Sequence, residues 1–390
     1  MRRIYLDHHS SNPPCPEAIA AMESYWRGVC ASPSGIHSES KNSIQSIEEA
    51  RKQIGSLIGA REGEGEIVFT GNGTEAVNLA ILGFARANLR FGQHLVSSAV
   101  EHPSVLNAIQ VLEEERFSSS LVSVDDIGRF DFDSVSRQVG ERTLLICLQL
   151  VNSDVGTIQS VKEIGRLARE KAIGFFVDAT AAAGRVPIDV SELNADLVAL
   201  SPSSFGGPVG IGVLYKRSRV SLKPLYYGGG QEGGLRPGEE NVPGIVGAGI
   251  AAEISQGQLG QNCAKLARLQ SKLWELIRAR IEGVHLNGPI PGSGRLCHQL
   301  SVTIDGVEAE GLVLFVDMRG LAIATSGGCL SENHDRHYVL AELGLNQESA
   351  KRTISMGVGL STTEDEIAEA VEIIAAGTKR LRSMSPSWSH

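Results

Sequence analysis

The sequence predicts an α/β protein built on a mostly parallel seven-stranded sheet covered by helices, joined to a smaller α+β domain. Two observations carry this. From residue 66 onward, apolar runs of strand length alternate with segments whose apolar residues recur at three- and four-residue steps. Such alternation is the pattern of a parallel sheet with helices on both faces. The 390-residue chain also holds 44 glycines, above the usual share of about 7%, as many tight turns and close backbone approaches require.

In chain order the strand-like runs are EIVFT, HLVSSAV, SLVSV, LLICLQLV, GFFVDA, DLVALS and GIGVLY. They are short, apolar and rich in β-branched residues, as strands buried on both faces are. Between them TEAVNLAILGFARANL, PSVLNAIQVLEEER and SVKEIGRLAREKA read as amphipathic helices. These elements define a large domain at residues 15–255. Beyond Gly257 a long polar helix, QNCAKLARLQSKLWELIRARIEG, leads into a second group of strands and helices that ends near Ala376. Residues 1–14 and 256–376 are assigned to the small domain, and 377–390 to a C-terminal tail. The closing SPSWSH resembles the opening of an affinity tag, so Trp388 to His390 are set aside.

Composition excludes several classes of function. With 42% hydrophobic and 21% charged residues, the chain is an ordinary globular protein. A net charge of −9 without a basic run gives no reason to expect nucleic acid. No apolar run approaches the roughly 20 residues that cross a bilayer, and the two arginines of MRRIYLDHHS precede no apolar core, so neither a membrane span nor a signal peptide is expected. The six cysteines lie far apart with no Cys-x-x-Cys pair, which fits a reduced cytoplasmic protein. Cys147, inside TLLICLQLV, reads as core.

Chemistry-bearing residues gather where strands end, the place where open α/β sheets bind ligands. GNGTEA follows EIVFT and opens a helix, so Gly73 and Thr74 stand at an N-terminus suited to an anion, although Thr74 is also read as a plain helix cap. VDAT puts Asp178 at the end of an apolar strand, where a buried carboxylate needs a partner. EHPSV places His102 at another strand end and LVNSDVGTIQ places Asn152 at a third. Together these four strand ends describe a ligand crevice. LSPSSFGGPVGIGVLYK adds Ser201, Ser203 and Ser204 where a further strand leaves the sheet.

The chain resembles the cysteine desulfurases of the NifS/IscS type, class-V relatives of the fold-type-I aminotransferases that use pyridoxal phosphate. The likeness runs from YLDHHSSNPP to GLSTTEDEI and includes PSGIH, GTEAVNLAI, EHPSV, VGTIQ, VDAT, YYGGGQEGGLRPG, ENVPGIVG and TSGGC. It implies the fold-type-I transferase architecture and a homodimer. It also implies that Gly73, Thr74 and Ser201 hold a phosphate, His102 stacks on a pyridine ring, Asn152 meets the ring hydroxyl and Asp178 pairs with the ring nitrogen. Cys329, in TSGGC, is implied as the catalytic thiol that attacks the substrate's sulfur and carries it as a persulfide.

The departures from that pattern form a set. Where the family reads Ser-x-His-Lys, this chain reads Ser201-Pro202-Ser203-Ser204, so Ser204 replaces the lysine that anchors the cofactor. A hydroxyl cannot form that covalent link or shuttle the substrate's α-proton as an amine does. Lys216 lies a strand away. Ala181 replaces a glutamine, Ser355 an arginine that holds the substrate carboxylate, and Ser32 an asparagine. Glu239 replaces a threonine that reaches the phosphate across the dimer. A carboxylate about 4 Å from a phosphate costs on the order of 4 kcal/mol at an effective dielectric of 20.

The expectation is therefore a desulfurase-like protein of iron–sulfur cluster assembly that does not hold pyridoxal phosphate covalently. It would dock a scaffold protein of the IscU type. Cys329 would offer its thiolate as sulfur carrier or as metal ligand to a shared iron–sulfur cluster, with [2Fe–2S] the expected type. The alternative is a working desulfurase that keeps pyridoxal phosphate non-covalently. A serine hydrolase using Ser204 lacks a histidine in register with an acid. His334 and His337 follow Cys329 at spacings that suggest zinc, but no fourth ligand is in sight.

Overall fold

The computed structural model describes residues 3–327 and 337–384. Each of the seven apolar runs forms a strand of one sheet. Their spatial order is Gly65–Thr70, Gly212–Arg217, Leu197–Leu200, Gly174–Asp178, Thr143–Gln149, His94–Ser98, Ser118–Val122. Neighbours run parallel except Gly212–Arg217, which is antiparallel to both of its partners. Alternate residues feed two separate cores: Ile146, Leu148, Phe175 and Val177 pack on one face, while Leu145, Cys147, Phe176 and Leu197 pack on the other. Burial on both faces is why these strands are apolar throughout. Cys147 is fully buried there.

The segment read as one helix after EIVFT is not uniform. It runs as Gly73–Asn78, widens into a π turn at Leu79–Gly83, and continues as Phe84–Asn88. The wide turn frees the Gly83 carbonyl, which accepts from the Lys223 amide at 3.0 Å.

A second core surrounds an antiparallel sheet of Ala324–Thr325, Thr353–Gly357, Gln299–Ile304 and Val284–Asn287. Ile4–Tyr5 pairs in parallel with Leu321–Ala322, and Ile4 and Leu6 belong to this core. The helix Val242–Arg280, 39 residues and roughly 58 Å long at 1.5 Å per residue, runs unbroken through Gly257. Ile245, Ala248 and Ala252 face the first core, whereas Leu266, Leu269, Leu273 and Ile277 face the second. The change of pattern near residue 257 thus marks a change of the core that the helix serves. Among the described residues no helix is long and apolar enough to cross a membrane.

The last described helix, Glu364–Arg382, continues past Ala376, and the Arg382 guanidinium bonds the carbonyls of Asp305 and Glu282. Its start is a capping box. Thr363 Oγ1 accepts from the Glu366 amide at 3.2 Å, and the Glu366 carboxylate accepts from the Thr363 amide at 2.9 Å. Thr363→Ala is expected to lower stability by about 1 kcal/mol. Thermal denaturation should show the loss, and Thr363→Ser should recover most of it.

Candidate functional site

The carboxyl ends of the parallel strands open on a cleft of ≈ 680 Å³, closed on its other side by the N-terminal segment and the second sheet. The strand topology brings Gly73, Thr74, His102, Asn152, Ser201 and Ser204 to its lining, all named from sequence. Asp178 lies just beneath. It is 4% exposed, and Thr180 and Ala181 line the cleft in its place. The Asp178 Oδ1 accepts from the Thr180 amide at 2.9 Å and the Thr180 hydroxyl at 2.6 Å.

At the first strand end the helix cap is Asn72, whose Oδ1 accepts from the Glu75 amide at 2.8 Å. The cap reading of Thr74 is therefore corrected: Asn72 is better placed because its side chain precedes the first turn. The Thr74 hydroxyl has no hydrogen-bond partner among the described residues and faces the cleft. Gly73 lies in close approach to the next strand end: a Cβ there would stand 3.1 Å from the Thr180 methyl carbon, which would have to shift by a few tenths of an ångström.

His102 caps the helix Pro103–Glu114, its Nδ1 accepting from the Ser104 amide at 3.1 Å. Asn152 braces its own loop. Its Oδ1 accepts from the amides of Asp154 (3.0 Å) and Val155 (2.9 Å), and its Nδ2 donates to the Val100 carbonyl at 3.0 Å. One N–H of the amide is left for a ligand.

Ser201, Ser203 and Ser204 sit on a tight turn, Pro202–Phe205, that ends at left-handed Gly206 (φ 87°). The Ser204 hydroxyl donates back into the protein, 2.7 Å from the Ser201 carbonyl and 3.1 Å from that of Ala183. Ser201 and Ser203 share a hydrogen bond of 3.0 Å. Lys216 offers no substitute amine. It is paired in register with Leu197 at the far end of that strand, and its Nζ sits 3.4 Å from Glu66 and 3.3 Å from the Val220 carbonyl. Among the described residues that line the cleft there is no lysine and no arginine, and Ser355 lines it from the second sheet. Glu239 is exposed, close enough to Cys30 to help raise its thiol's pKa behind the larger effect of burial. Ser32 bonds within its own turn. Cys329 and His334 lie outside the described residues.

The cleft also contains groups that local sequence did not single out: Asp7, His9, Asp154, His298 and Gln299. Burial, with the charge of Arg185 and the neighbouring imidazoles, holds His298 well below the ordinary histidine range, so it is neutral at pH 7. Burial also lowers His9, although Asp7, 3.3 Å away, opposes it. The Nδ1 of His298 is buried without a hydrogen-bond partner, whereas that of His9 is the atom that faces Asp7. The Asp-His-His run at the N-terminus was a visible signal, whereas nothing local marks His298. Burial raises the Asp154 carboxyl, with His102 pulling the other way.

Below His102, burial pushes the Glu101 carboxyl up to about 8 from its ordinary 4.5, against a hydrogen bond from Ser98. Its Oε2 is buried without a partner. The folded state therefore holds this proton more tightly than the unfolded chain. The resulting stability is fully present below pH 4.5 and is lost as pH rises toward about 8. Glu101→Gln is expected to flatten that fall, which at about 1.4 kcal/mol per unit comes to about 4 kcal/mol between pH 5 and pH 8. Denaturation midpoints at pH 5 and pH 8 check it, and an unchanged slope refutes it.

The family model for "Aminotransferase class-V" matches residues 4–369. The chain is 37% identical over 384 residues to cysteine desulfurase IscS 1 of Archaeoglobus fulgidus, covering 98% of this chain and 99% of that one. It is 35% identical over 387 residues to cysteine desulfurase IscS of Clostridium botulinum, covering 99% and 97%. Among solved structures, a NifS-like protein superposes with a TM-score of 0.89 at 28% identity, covering 96% of this chain and 98% of the other. The structure described as SspA in complex with cysteine superposes at 0.77 with 30% identity, covering 91% and 98%.

Proposed function

This chain belongs to the pyridoxal-phosphate-dependent class-V aminotransferase family, with IscS- and NifS-type cysteine desulfurases as its homologues, and from that premise we propose that it serves iron–sulfur cluster assembly without desulfurase turnover of its own. One observation carries the reading. At the position of the anchoring amine stands Ser204, its hydroxyl bound to two backbone carbonyls, and no amine lines the cleft around it among the described residues. These residues do not fit a covalently held pyridoxal phosphate. Ser355 likewise supplies no positive charge for a substrate carboxylate.

What the fold retains is a scaffold and a thiol. In this reading the chain is a cytoplasmic homodimer that docks a small cluster-scaffold protein of the IscU type. Cys329 reaches that partner as a thiolate, either taking over the outer sulfur of a persulfide formed elsewhere, whose own thiolate leaves as that S–S bond breaks, or completing the ligand set of a [2Fe–2S] cluster. A second reading, desulfurase action with pyridoxal phosphate held non-covalently, draws support from the unpartnered Thr74 hydroxyl and the retained His102 and Asp178. Without the amine and the carboxylate clamp, its rate should fall by several orders of magnitude.

The two readings separate in one experiment. Purified protein is incubated with pyridoxal phosphate, freed of excess and given L-cysteine, and sulfide is measured. Sulfide at background, with a scaffold protein retained on the chain and its cluster lost on Cys329→Ala, supports the proposal. Sustained sulfide production at ordinary enzyme rates would falsify it.

A further inference from the structure

Cys263 and Cys297 are distant in sequence but meet where the long helix crosses the second sheet. Cys263 projects from Val242–Arg280, and its Sγ donates to the Arg185 carbonyl at 3.1 Å. Two turns further along the same helix, Gln270 Nε2 bonds the carbonyls of Leu296 (2.7 Å) and Gln299 (2.6 Å). This holds residues 296–299 against the helix and brings the Cys297 thiol to Cys263, toward whose Sγ it donates. Both are partly exposed. On one side of Cys297 lies Leu296 and on the other His298, and both line the cleft.

The two thiols are not equivalent. The hydrogen bond from Cys297, helped by the Arg185 charge and opposed by burial, draws the Cys263 thiol down. The same bond and burial push Cys297 up. Cys263 is therefore the attacking thiol of the pair, because it gives up its proton more readily and the thiolate is the reactive form, and Cys297 stands beside it as the resolving thiol.

We propose that Cys263 and Cys297 form a reversible dithiol–disulfide site, oxidised by low-molecular-weight disulfides, that ties the long helix to the wall of the cleft. The Cys263 thiolate attacks one sulfur of the small disulfide. That S–S bond breaks, a mixed disulfide forms, and one small thiol leaves with the proton Cys263 gave up. Cys297 then loses its proton and attacks the Cys263 sulfur, forming the internal bond and releasing the second small thiol with that proton. Two electrons pass from the protein to the small disulfide. The bond fixes Cys297, and with it Leu296 and His298, to an element that spans both cores. The proposal is independent of what the cleft binds.

The test uses the full chain, pre-reduced, then exposed to glutathione disulfide, alkylated and digested for peptide mass analysis. The expected result is a linked pair of peptides containing Cys263 and Cys297, the loss of two alkylatable thiols per chain, and full reversal by dithiothreitol. Cys297→Ser should stop at a mixed disulfide on Cys263, seen as one added glutathione in the intact mass, and Cys263→Ser should form neither product. A Cys329→Ser chain run in parallel should give the same linked pair. If both thiols of the unmodified chain remain alkylatable, or if either links to a different cysteine, the proposal is overturned. The peptide map of the unmodified chain decides this even if a variant fails to fold.

Discussion

Ser204→Lys is expected to convert a chain that borohydride leaves unlabelled in the presence of pyridoxal phosphate into one carrying about one pyridoxyl group per chain. The reason is local. The turn Pro202–Phe205 already directs residue 204 to the floor of the cleft. The serine hydroxyl, engaged with the carbonyls of Ser201 and Ala183, is too short and lacks the nitrogen for a reducible link. A lysine would extend from the same Cα past those carbonyls into the open volume. Intact mass after reduction measures the adduct, and peptide mapping places it. Sulfide release from L-cysteine should stay at background in Ser204→Lys alone, because Ser355 still provides no cation for the substrate carboxylate. It should rise when Ser355→Arg is added. Labelling of the unmodified chain at any residue of the cleft would remove the basis for calling the site amine-free.

Gly212→Ala is the substitution expected to cost most in stability. Gly212 opens the antiparallel strand Gly212–Arg217, opposite Thr70 in register, and the loop that caps the cleft helix lies directly against it. A Cβ at this position would stand 2.0 Å from the Asn72 carbonyl oxygen and 2.2 Å from its carbon. Backbone cannot rotate aside as a side chain does, so either the strand pairing or the Asn72 cap must give way. A loss of about 3 kcal/mol is expected, at the upper end for an overpacked methyl group. A lower thermal midpoint should be accompanied by weaker protection of the Glu75 amide, which Asn72 caps, in hydrogen exchange. Gly210→Ala is the useful contrast. No atom lies within 4 Å of a Cβ there, but its φ is +82°, so only left-handed strain of about 1 kcal/mol is expected. If the two variants lose stability equally, close approach is not what requires glycine at residue 212.

Alternating apolar runs and helical periodicity were enough to locate all seven strands of the main sheet, because an element's own residues carry that pattern. The same local signal placed Gly73, Thr74, His102, Asn152 and Ser201 at strand ends, and the topology then set them around one cleft. The absence of an amine at Ser204 was a fact of sequence alone, since no arrangement of the chain adds a nitrogen to a serine.

Tertiary structure alone decided three other matters. Asn72 rather than Thr74 caps the cleft helix, because the cap is chosen by backbone geometry at the first turn. His9, from the N-terminal segment, and His298, just before the strand Gln299–Ile304, complete the cleft wall as neutral rings, because packing buries both and sets the Arg185 charge near His298. Cys263 and Cys297 showed no paired spacing. They meet because a helix shared by two cores passes over the segment that enters the second sheet, and contacts between remote segments leave no periodic trace in the residues that make them.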